Sequence, residues 1–325
     1  MNKNSSVLKI LEYNKGNFVS GELLADKLGV SRNYIWKIIE NLKKSGYLIT
    51  SQTNKGYRLD DNNKINSFAI EKHVKTAGLK IIYEEACVST NTMLKNLAES
   101  GETSTTVLIS GTQTGGRGRM GRTFFSPSET GLYISFLLHP ALTAEKSLVI
   151  TTAAAVAVCR VLKKYTVGKI GIKWVNDILI DSKKVCGILT EASVDVESGY
   201  LKYAVLGIGV NIFMPELGFP AEIASTASCV LSEPPDAGKK CKIAAEIIDS
   251  FFNIYPNLQK NSFLDEYRYL SVAIGKSVYL LNGDIKDEAT VIAVNDDYSL
   301  TVLLDSGEKK TVNSGEISIR IKEAD

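Results

Sequence analysis

The sequence predicts an α+β protein in three parts. These are a winged helix-turn-helix over 1–63, a central mixed β-sheet with packed helices over 66–272, and a small β-barrel over 273–325. Three observations lead there. The first sixty residues show three helix-length apolar patterns separated by caps and a turn glycine. In the middle, strand-like runs follow one another through short turns, with helices between some of them and no strict βαβ alternation. After Gly275, short alternating runs are joined by the turn dipeptides Asn282-Gly283 and Ser306-Gly307.

Composition narrows the function classes. The chain has 325 residues, 44% of them hydrophobic and 23% charged, which suits a globular protein of about two or three domains. The start, Met1 to Ser6, is polar and does not resemble a signal peptide. Leu148 to Leu162 is the most apolar run. It contains Arg160 and is shorter than the about 20 residues of a membrane span, so it reads as a buried alanine-rich helix with no membrane role. The five cysteines (Cys87, Cys159, Cys186, Cys229, Cys241) are odd in number and lack CxxC spacing, which predicts free thiols in a reducing cytoplasm. With only His73 and His139, the composition argues against a His-Cys zinc site and against a Ser-His-Asp triad. His139, before Pro140, reads as a strand-end residue.

Charge is unevenly spread. Residues 1–60 carry ten Lys or Arg against five Asp or Glu, a net of +5, and the remainder carries −3. A basic N-terminal module on a mildly acidic body predicts that only the first part meets nucleic acid. There, Val7, Leu8, Ile10 and Leu11 mark a first helix, and Leu23, Leu24 and Leu28 mark a second that Ser20 caps. Gly29 breaks the second helix, and Ser31 caps a third helix with Ile35, Ile38, Ile39 and Leu42 on one face, ended by Gly46. Ala25 lets two helices approach, and Gly29 permits the left-handed turn between them. This pattern presents the third helix to a DNA major groove, with Ser31, Arg32, Asn33 and Lys37 toward it. Strands on either side of Asn54-Lys55-Gly56 form a wing that offers Lys55 and Arg58 to phosphates. Trp36 reads as wedged into the core edge.

In the body, strands are expected at Ile81–Glu85, Thr106–Ser110, Leu132–Leu138, Ile172–Ile180, Val185–Glu191 and Tyr200–Gly207. Helices are expected at Asn91–Glu99, Glu145–Tyr165 and Lys242–Tyr255. The most informative segment is Gln113 to Arg122. Its Gly116, Gly118 and Gly121 spell G-x-G-x-x-G, but Thr123-Phe124-Phe125-Ser126-Pro127 follows and cannot open the helix that a dinucleotide fold requires. No Gly-Lys-Ser/Thr follows either, which excludes a Walker A loop. A mobile glycine-rich loop bearing Arg117, Arg119 and Arg122 remains, suited to a polyphosphate or an acyl phosphate.

With these residues in view, the chain resembles the biotin–protein ligases, specifically the bifunctional biotin operon repressors. The resemblance rests on Ser89-Thr90-Asn91, the Gln113–Arg122 loop, Lys173-Trp174-Val175-Asn176-Asp177, Lys184 to Leu189, and Gly207-Ile208-Gly209-Val210-Asn211, in the family's order. It extends to both terminal modules. It implies a central fold like that of class II aminoacyl-tRNA and biotin synthetases, and an SH3-like C-terminal barrel docked on the body. Two departures stand out: Val175 where the family usually has proline, and Met120 in place of a frequent basic residue.

The resemblance also implies roles. Ser89, Thr90, Asn91 and Gln113 would meet the biotin rings, with Arg117, Gly118, Arg119 and Lys184 at its carboxylate. Arg117, Arg119, Arg122, Phe124 (stacked on adenine), Asn176 and Asn211 would hold ATP, and Asp177 would face Mg2+. Lys184 and Arg119 would be the catalytic pair. Biotin and Mg-ATP would give biotinyl-5′-AMP, and a lysine of the biotin carboxyl carrier protein of acetyl-CoA carboxylase, or of another biotin-dependent carboxylase, would accept the biotin. The same adenylate would act as corepressor, favouring a homodimer on operator DNA. Two alternatives stay open: a lipoate-type protein ligase, and a ligand-sensing transcription factor without ligase activity. Arg117, Arg119 and Lys184 argue against the second.

Overall fold

The computed structural model describes residues 3–61, 64–282, 285–314 and 318–321. The chain divides into two compact units, Met1–Lys75 with Pro235–Ala245, and Thr76–Pro234 with Glu246–Asp325.

The first unit contains α1 (Lys3–Tyr13), α2 (Gly21–Leu28), α3 (Arg32–Lys44), β1 (Ile49–Gln52), β2 (Gly56–Leu59) and α4 (Ser67–Glu71). Ser20 accepts the Leu23 N–H and Ser31 the Tyr34 N–H, so each caps its helix as the sequence predicts. Gly29 ends α2 in the left-handed region at φ 61°, where a Cβ would be strained. The expected apolar face of α3 is buried (Ile35, Ile38, Ile39, Leu42) and packs with Val7, Leu11 and Leu24. Phe68 joins the same core, which therefore continues past residue 63. β1 and β2 pair antiparallel around Asn54, whose φ is 63°. Trp36 corrects the expectation: it is 55% exposed and not wedged into the core. It sits one residue from Ile35 on α3, far enough round the helix to leave the buried stripe.

The second unit begins with β3 (Lys80–Glu84), α5 (Thr90–Glu99), β4 (Thr106–Ser110), β5 (Gly131–Leu138) and α6 (Leu148–Leu162). β6 (Ile170–Lys173), β7 (Asp177–Ile180), β8 (Lys183–Val194), β9 (Leu201–Asn211) and α7 (Ala221–Ala224) follow. Next come α8 (Ala237–Ile254), whose first turns fall in the first unit, and α9 (Leu264–Leu270). The strands form a seven-stranded mixed sheet in the order β3-β4-β5-β9-β8-β7-β6, with β3 and β4 parallel and the remaining pairs antiparallel. Asp181 and Ser182 both have positive φ, the two-residue turn that matches the twist of β7 and β8. The alanine-rich α6 is buried almost all round. It starts at Leu148, because a separate 3-10 turn, Ala144–Lys146, precedes it.

One expected strand is corrected. Ile172–Ile180 is two strands, β6 and β7, paired antiparallel with each other. The break falls at Asn176, whose amide donates to the Ile188 carbonyl at 2.8 Å while its own carbonyl accepts the Ile188 N–H at 3.0 Å. A polar side chain here holds the turn that continued strand pairing would have removed. The Trp174–Val175 peptide is cis.

The strands β10 (Ser277–Asn282), β11 (Ile285–Val294), β12 (Leu300–Leu304), β13 (Lys309–Val312) and β14 (Ser318–Ile321) form a five-stranded antiparallel sheet, ordered β13-β12-β11-β10-β14. The expected Asn282-Gly283 turn involves Gly283, and the expected alternation includes Ile317; both lie outside the described residues. This sheet docks on the central body, as expected. Trp174 Nε1 donates to the Tyr298 carbonyl at 2.8 Å, and Arg268 donates to Asp296 at 2.6 Å. Phe263 and Tyr267 pack against the Tyr298 ring. Among the described residues, no helix is long and apolar enough to cross a membrane.

Candidate active site

A cleft opens over β5, β8 and β9. Its lining collects residues far apart in sequence: Ser89, Thr90 and Asn91 at the start of α5, then Gln113, Arg117, Gly118, Arg119, Phe124, Asn176 and Lys184. Each of these is a residue that the sequence places at the site. Arg122, Asp177 and Asn211 do not line the cleft. Arg122 is exposed, and the Asn211 amide donates to the Ser228 carbonyl at 3.0 Å.

The floor is made of glycines that the sequence reading does not single out as site residues. A Cβ at Gly207 would lie 2.3 Å from Asn91 Oδ1, and one at Gly209 would lie 2.5 Å from the Phe124 ring. Gly187, which pairs with Gly209 across β8 and β9, would bring a Cβ within 3.2 Å of Lys184 Nζ. The alternation of Gly207 and Gly209 in a β-branched strand was the available signal, because glycine there marks close approach by another group.

One end of the cleft is lined by a chain of hydrogen bonds. Gln113 Oε1 accepts from Thr90 N (2.8 Å) and lies 3.0 Å from Thr90 Oγ1, and Gln113 Nε2 donates to Ser126. Ser135, fully buried on β5, lies 2.7 Å from Thr90 Oγ1 and 2.6 Å from Asn91 Oδ1. Asn91 Nδ2 donates to Glu191 at 2.9 Å. The Asn91 amide is thus already engaged within the protein, while Ser89 Oγ caps α5 through Thr92 N. Ser135 and Glu191 escape a reading of the sequence because neither lies in a glycine-rich or basic motif, and only the pairing of β5, β8 and β9 brings them here.

The other end is cationic, and each cation has an acceptor. Lys184 Nζ is 2.7 Å from Asp177 Oδ1 and 5.9 Å from the centre of the Phe124 ring. Arg117 is 3.3 Å from Glu191. Arg119 donates to Asn176 Oδ1 at 3.1 Å and to the Ser314 carbonyl of the C-terminal module. Burial presses the Arg119 guanidinium below its usual pKa, with Asp177 opposing, yet a guanidinium stays protonated in proteins. The glycine-rich loop opens no dinucleotide-type helix: Arg119–Gly121 is a single 3-10 turn with Met120 at φ 54°, and the chain proceeds to β5. Phe124 meets Tyr133 edge-on at 6.5 Å, covering Gly187 and Gly209. Its ring is a wall of the cleft.

For Mg2+, the expected Asp177 carboxylate is paired with Lys184. Among the described residues no three His, Cys, Asp or Glu side chains gather as a metal site. A cation carried by substrate phosphates needs only one or two protein carboxylates, and Asp177 is one such carboxylate beside the cleft.

On the α3 surface Arg32, Asn33, Trp36 and Lys37 are exposed, while Ser31 is used as the cap. Lys55 and Arg58 both lie over the Phe18 ring, and Arg58 is further held by Asp60 at 2.6 Å. Lys55 is exposed; Arg58 is partly neutralised, which weakens its expected role as a phosphate contact.

Residues 84–211 match the sequence model of the biotin/lipoate A/B protein ligase family, and residues 3–58 match that of a helix-turn-helix domain. The bifunctional ligase/repressor BirA of Bacillus subtilis (strain 168) is 31% identical over 301 residues, covering 90% of this chain and 91% of that protein. BirA of Escherichia coli K12 is 28% identical and covers 99% and 100%. Among solved structures, biotin protein ligase from Aquifex aeolicus in complex with biotin and ATP is similar at a TM-score of 0.60 and 26% identity, covering 75% of this chain and 99% of that one. The mixed sheet and its glycine-floored cleft, the helix-turn-helix ahead of them, and likeness over nine-tenths of the chain agree: this chain belongs to the biotin/lipoate A/B protein ligase family.

Proposed function

We infer that the protein is a biotin–protein ligase that is also a DNA-binding repressor. The observation that carries the ligase reading is one cleft that joins a hydroxyl and amide cluster (Ser89, Thr90, Asn91, Gln113), backed by the buried Ser135, to a cluster of three cations (Arg117, Arg119, Lys184). The first end suits a cyclic urea, which offers one carbonyl and two N–H groups. The second suits a carboxylate meeting an α-phosphate. In the first step the biotin carboxylate oxygen attacks the α-phosphorus of Mg-ATP, forming biotinyl-5′-AMP and releasing pyrophosphate. In the second, the ε-amine of a lysine on a biotin carboxyl carrier domain attacks the mixed anhydride, and AMP leaves. Lys184 and the loop arginines neutralise the anions that must approach, so catalysis is positioning and electrostatics, with no covalent enzyme intermediate. Asn176 and Phe124 face the nucleotide.

The same reading makes the C-terminal sheet an SH3-like barrel, keeps the three-part division at 1–63, 66–272 and 273–325 as functional modules, and places the protein in the cytoplasm. Retained adenylate favours a homodimer that grips a two-half-site operator. The discriminating experiment is mass spectrometry of purified protein incubated with ATP, biotin and lipoate together. Biotinyl-5′-AMP should remain bound. Lipoyl-AMP instead would make the protein a lipoate-type ligase, and neither adenylate would make it a sensor without ligase activity.

DNA binding has its own test. Trp36 and Trp174 are the two tryptophans, 55% and 5% exposed respectively. Tryptophan emission therefore reports chiefly on the α3 face when duplex is added. In that titration, Lys37→Ala should weaken binding to all duplexes alike and lower the slope of log affinity against log salt by about 1. An unchanged slope would remove Lys37 from the interface.

A further inference from the structure

We propose that Trp36 is a specificity-determining residue of α3 that reads thymine in the DNA major groove, setting its indole against the C5-methyl group. The proposal rests on the reading of α3 as the helix that meets DNA. The four apolar residues that anchor α3 (Ile35, Ile38, Ile39, Leu42) are all buried, whereas Trp36 is 55% exposed. Burial in the core of this unit does not account for a large apolar ring at that position. Trp36 is the fifth residue of α3, within the N-terminal part of a recognition helix that reaches base edges. Arg32 and Asn33 lie one turn before it on the same face, and Lys37 follows it. Among the described residues, the side chains of Arg32, Asn33, Trp36 and Lys37 have no hydrogen bond or ion pair within the protein. The single acid of α3, Glu40, is paired with Lys43 at 2.9 Å, and residues 1–60 carry a net charge of +5. The face is therefore cationic, uncommitted and centred on one apolar ring.

The chemistry of the groove selects the base. An intact duplex keeps its bases stacked and shows only their edges, so the indole meets an edge and not the face of a base. The apolar group on those edges is the C5-methyl of thymine, and the O4 acceptor stands beside it. An indole matches both: its ring carbons cover the methyl, and its Nε1–H, which can only donate, suits an acceptor. Cytosine presents an amino donor in that place, which leaves the indole N–H unsatisfied. Guanine and adenine offer acceptors there but no methyl group. Arg32 and Lys37 bring charge that holds α3 to phosphates whatever the sequence. Trp36 brings none, so its contribution depends on sequence and not on salt.

The test uses the full-length protein with biotin and ATP. A library of randomised duplexes is selected on the wild type, and each thymine of a selected duplex is then replaced singly by deoxyuridine, which removes only the methyl group. At one position or more, this replacement should lower wild-type affinity roughly fourfold, the worth of one buried methyl group. In Trp36→Ala the same replacement should cost nothing measurable. Trp36→Ala should itself bind the selected duplex roughly tenfold more weakly, the scale of one mismatched base pair. Its affinity for an unrelated duplex and its slope of log affinity against log salt should stay as in wild type, which also shows that the first unit is folded. A wild-type scan in which no thymine methyl matters would overturn the proposal without recourse to a variant. So would a methyl whose loss costs Trp36→Ala as much as wild type, or a Trp36→Ala that loses affinity for every duplex alike. Wild-type protein that selects no duplex would sink the DNA-binding reading itself, and this proposal with it.

Discussion

Lys184→Ala should slow adenylate formation by roughly 10²–10³, the scale for removing one donor to developing charge. Lys184 sits where the cationic end of the cleft meets its glycine floor, with Nζ 3.2 Å from the position of a Cβ on Gly187. Its ammonium rests 2.7 Å from Asp177, so an incoming carboxylate and phosphate meet a charge already aimed and partly desolvated. Biotin affinity should fall less than the rate, because the proposed ring-binding residues Ser89, Thr90, Asn91 and Gln113 lie on other elements. Lys184→Arg should not restore full rate, since a planar fork needs more room than a compact ammonium and Phe124 lies close by. Single-turnover adenylation measured beside equilibrium biotin binding separates these effects. An unchanged rate in Lys184→Ala would make this lysine a hairpin surface residue and leave charge neutralisation to Arg117, Arg119 and the magnesium of the nucleotide.

Gly209→Val should abolish most ligand binding while the protein still folds. The backbone at Gly209 is outside the left-handed region, so valine meets no dihedral strain there. Its strand pairs on both sides, with Tyr133 and with Gly187, and β-branched residues suit such a position. The cost lies above the sheet. The new Cβ would fall 2.5 Å from the Phe124 ring, which must swing away, and the space beside it is the cleft. Overpacking costs the fold about 1–3 kcal/mol, and the displaced Phe124 ring takes ligand space, for which a loss of roughly a hundredfold in affinity is expected. Calorimetry with biotin should show that loss, and thermal unfolding should show a cooperative transition with its midpoint lowered by no more than that overpacking cost. Normal biotin affinity would mean that the floor of the cleft is not where the ligand lies.

Much of this protein was determined by local sequence. The winged helix-turn-helix was legible in detail because its signals are short-range: Ser20 and Ser31 cap their own helices, Gly29 turns in place, and the α3 stripe repeats every three to four residues. The loop from Gln113 to Arg122 was legible as a glycine-rich, arginine-bearing loop because its chemistry is contiguous. The same local reading misplaces Trp36, since periodicity separates buried from exposed faces only coarsely at the flank of a stripe. It also fuses β6 and β7, since a run of apolar residues does not show that Asn176 will satisfy Ile188 in place of a strand neighbour.

Tertiary structure alone decided how the site works. Glu191 meets Asn91 and Lys95 across about a hundred residues of chain, and Ser135 meets Thr90 across 45, because β5, β9 and β8 are adjacent in the sheet. The glycines of the floor are small for the sake of side chains that arrive from α5 and from the loop before β5. The pairing of each cation with its acceptor likewise depends on register between strands: Lys184 is registered against Leu179 and Asp177 against Gly187, and the lysine side chain reaches along the β7–β8 hairpin to the carboxylate. Sequence spacing fixes which groups are present. Which atom donates to which is set by three-dimensional packing, and specificity for a ligand follows from that.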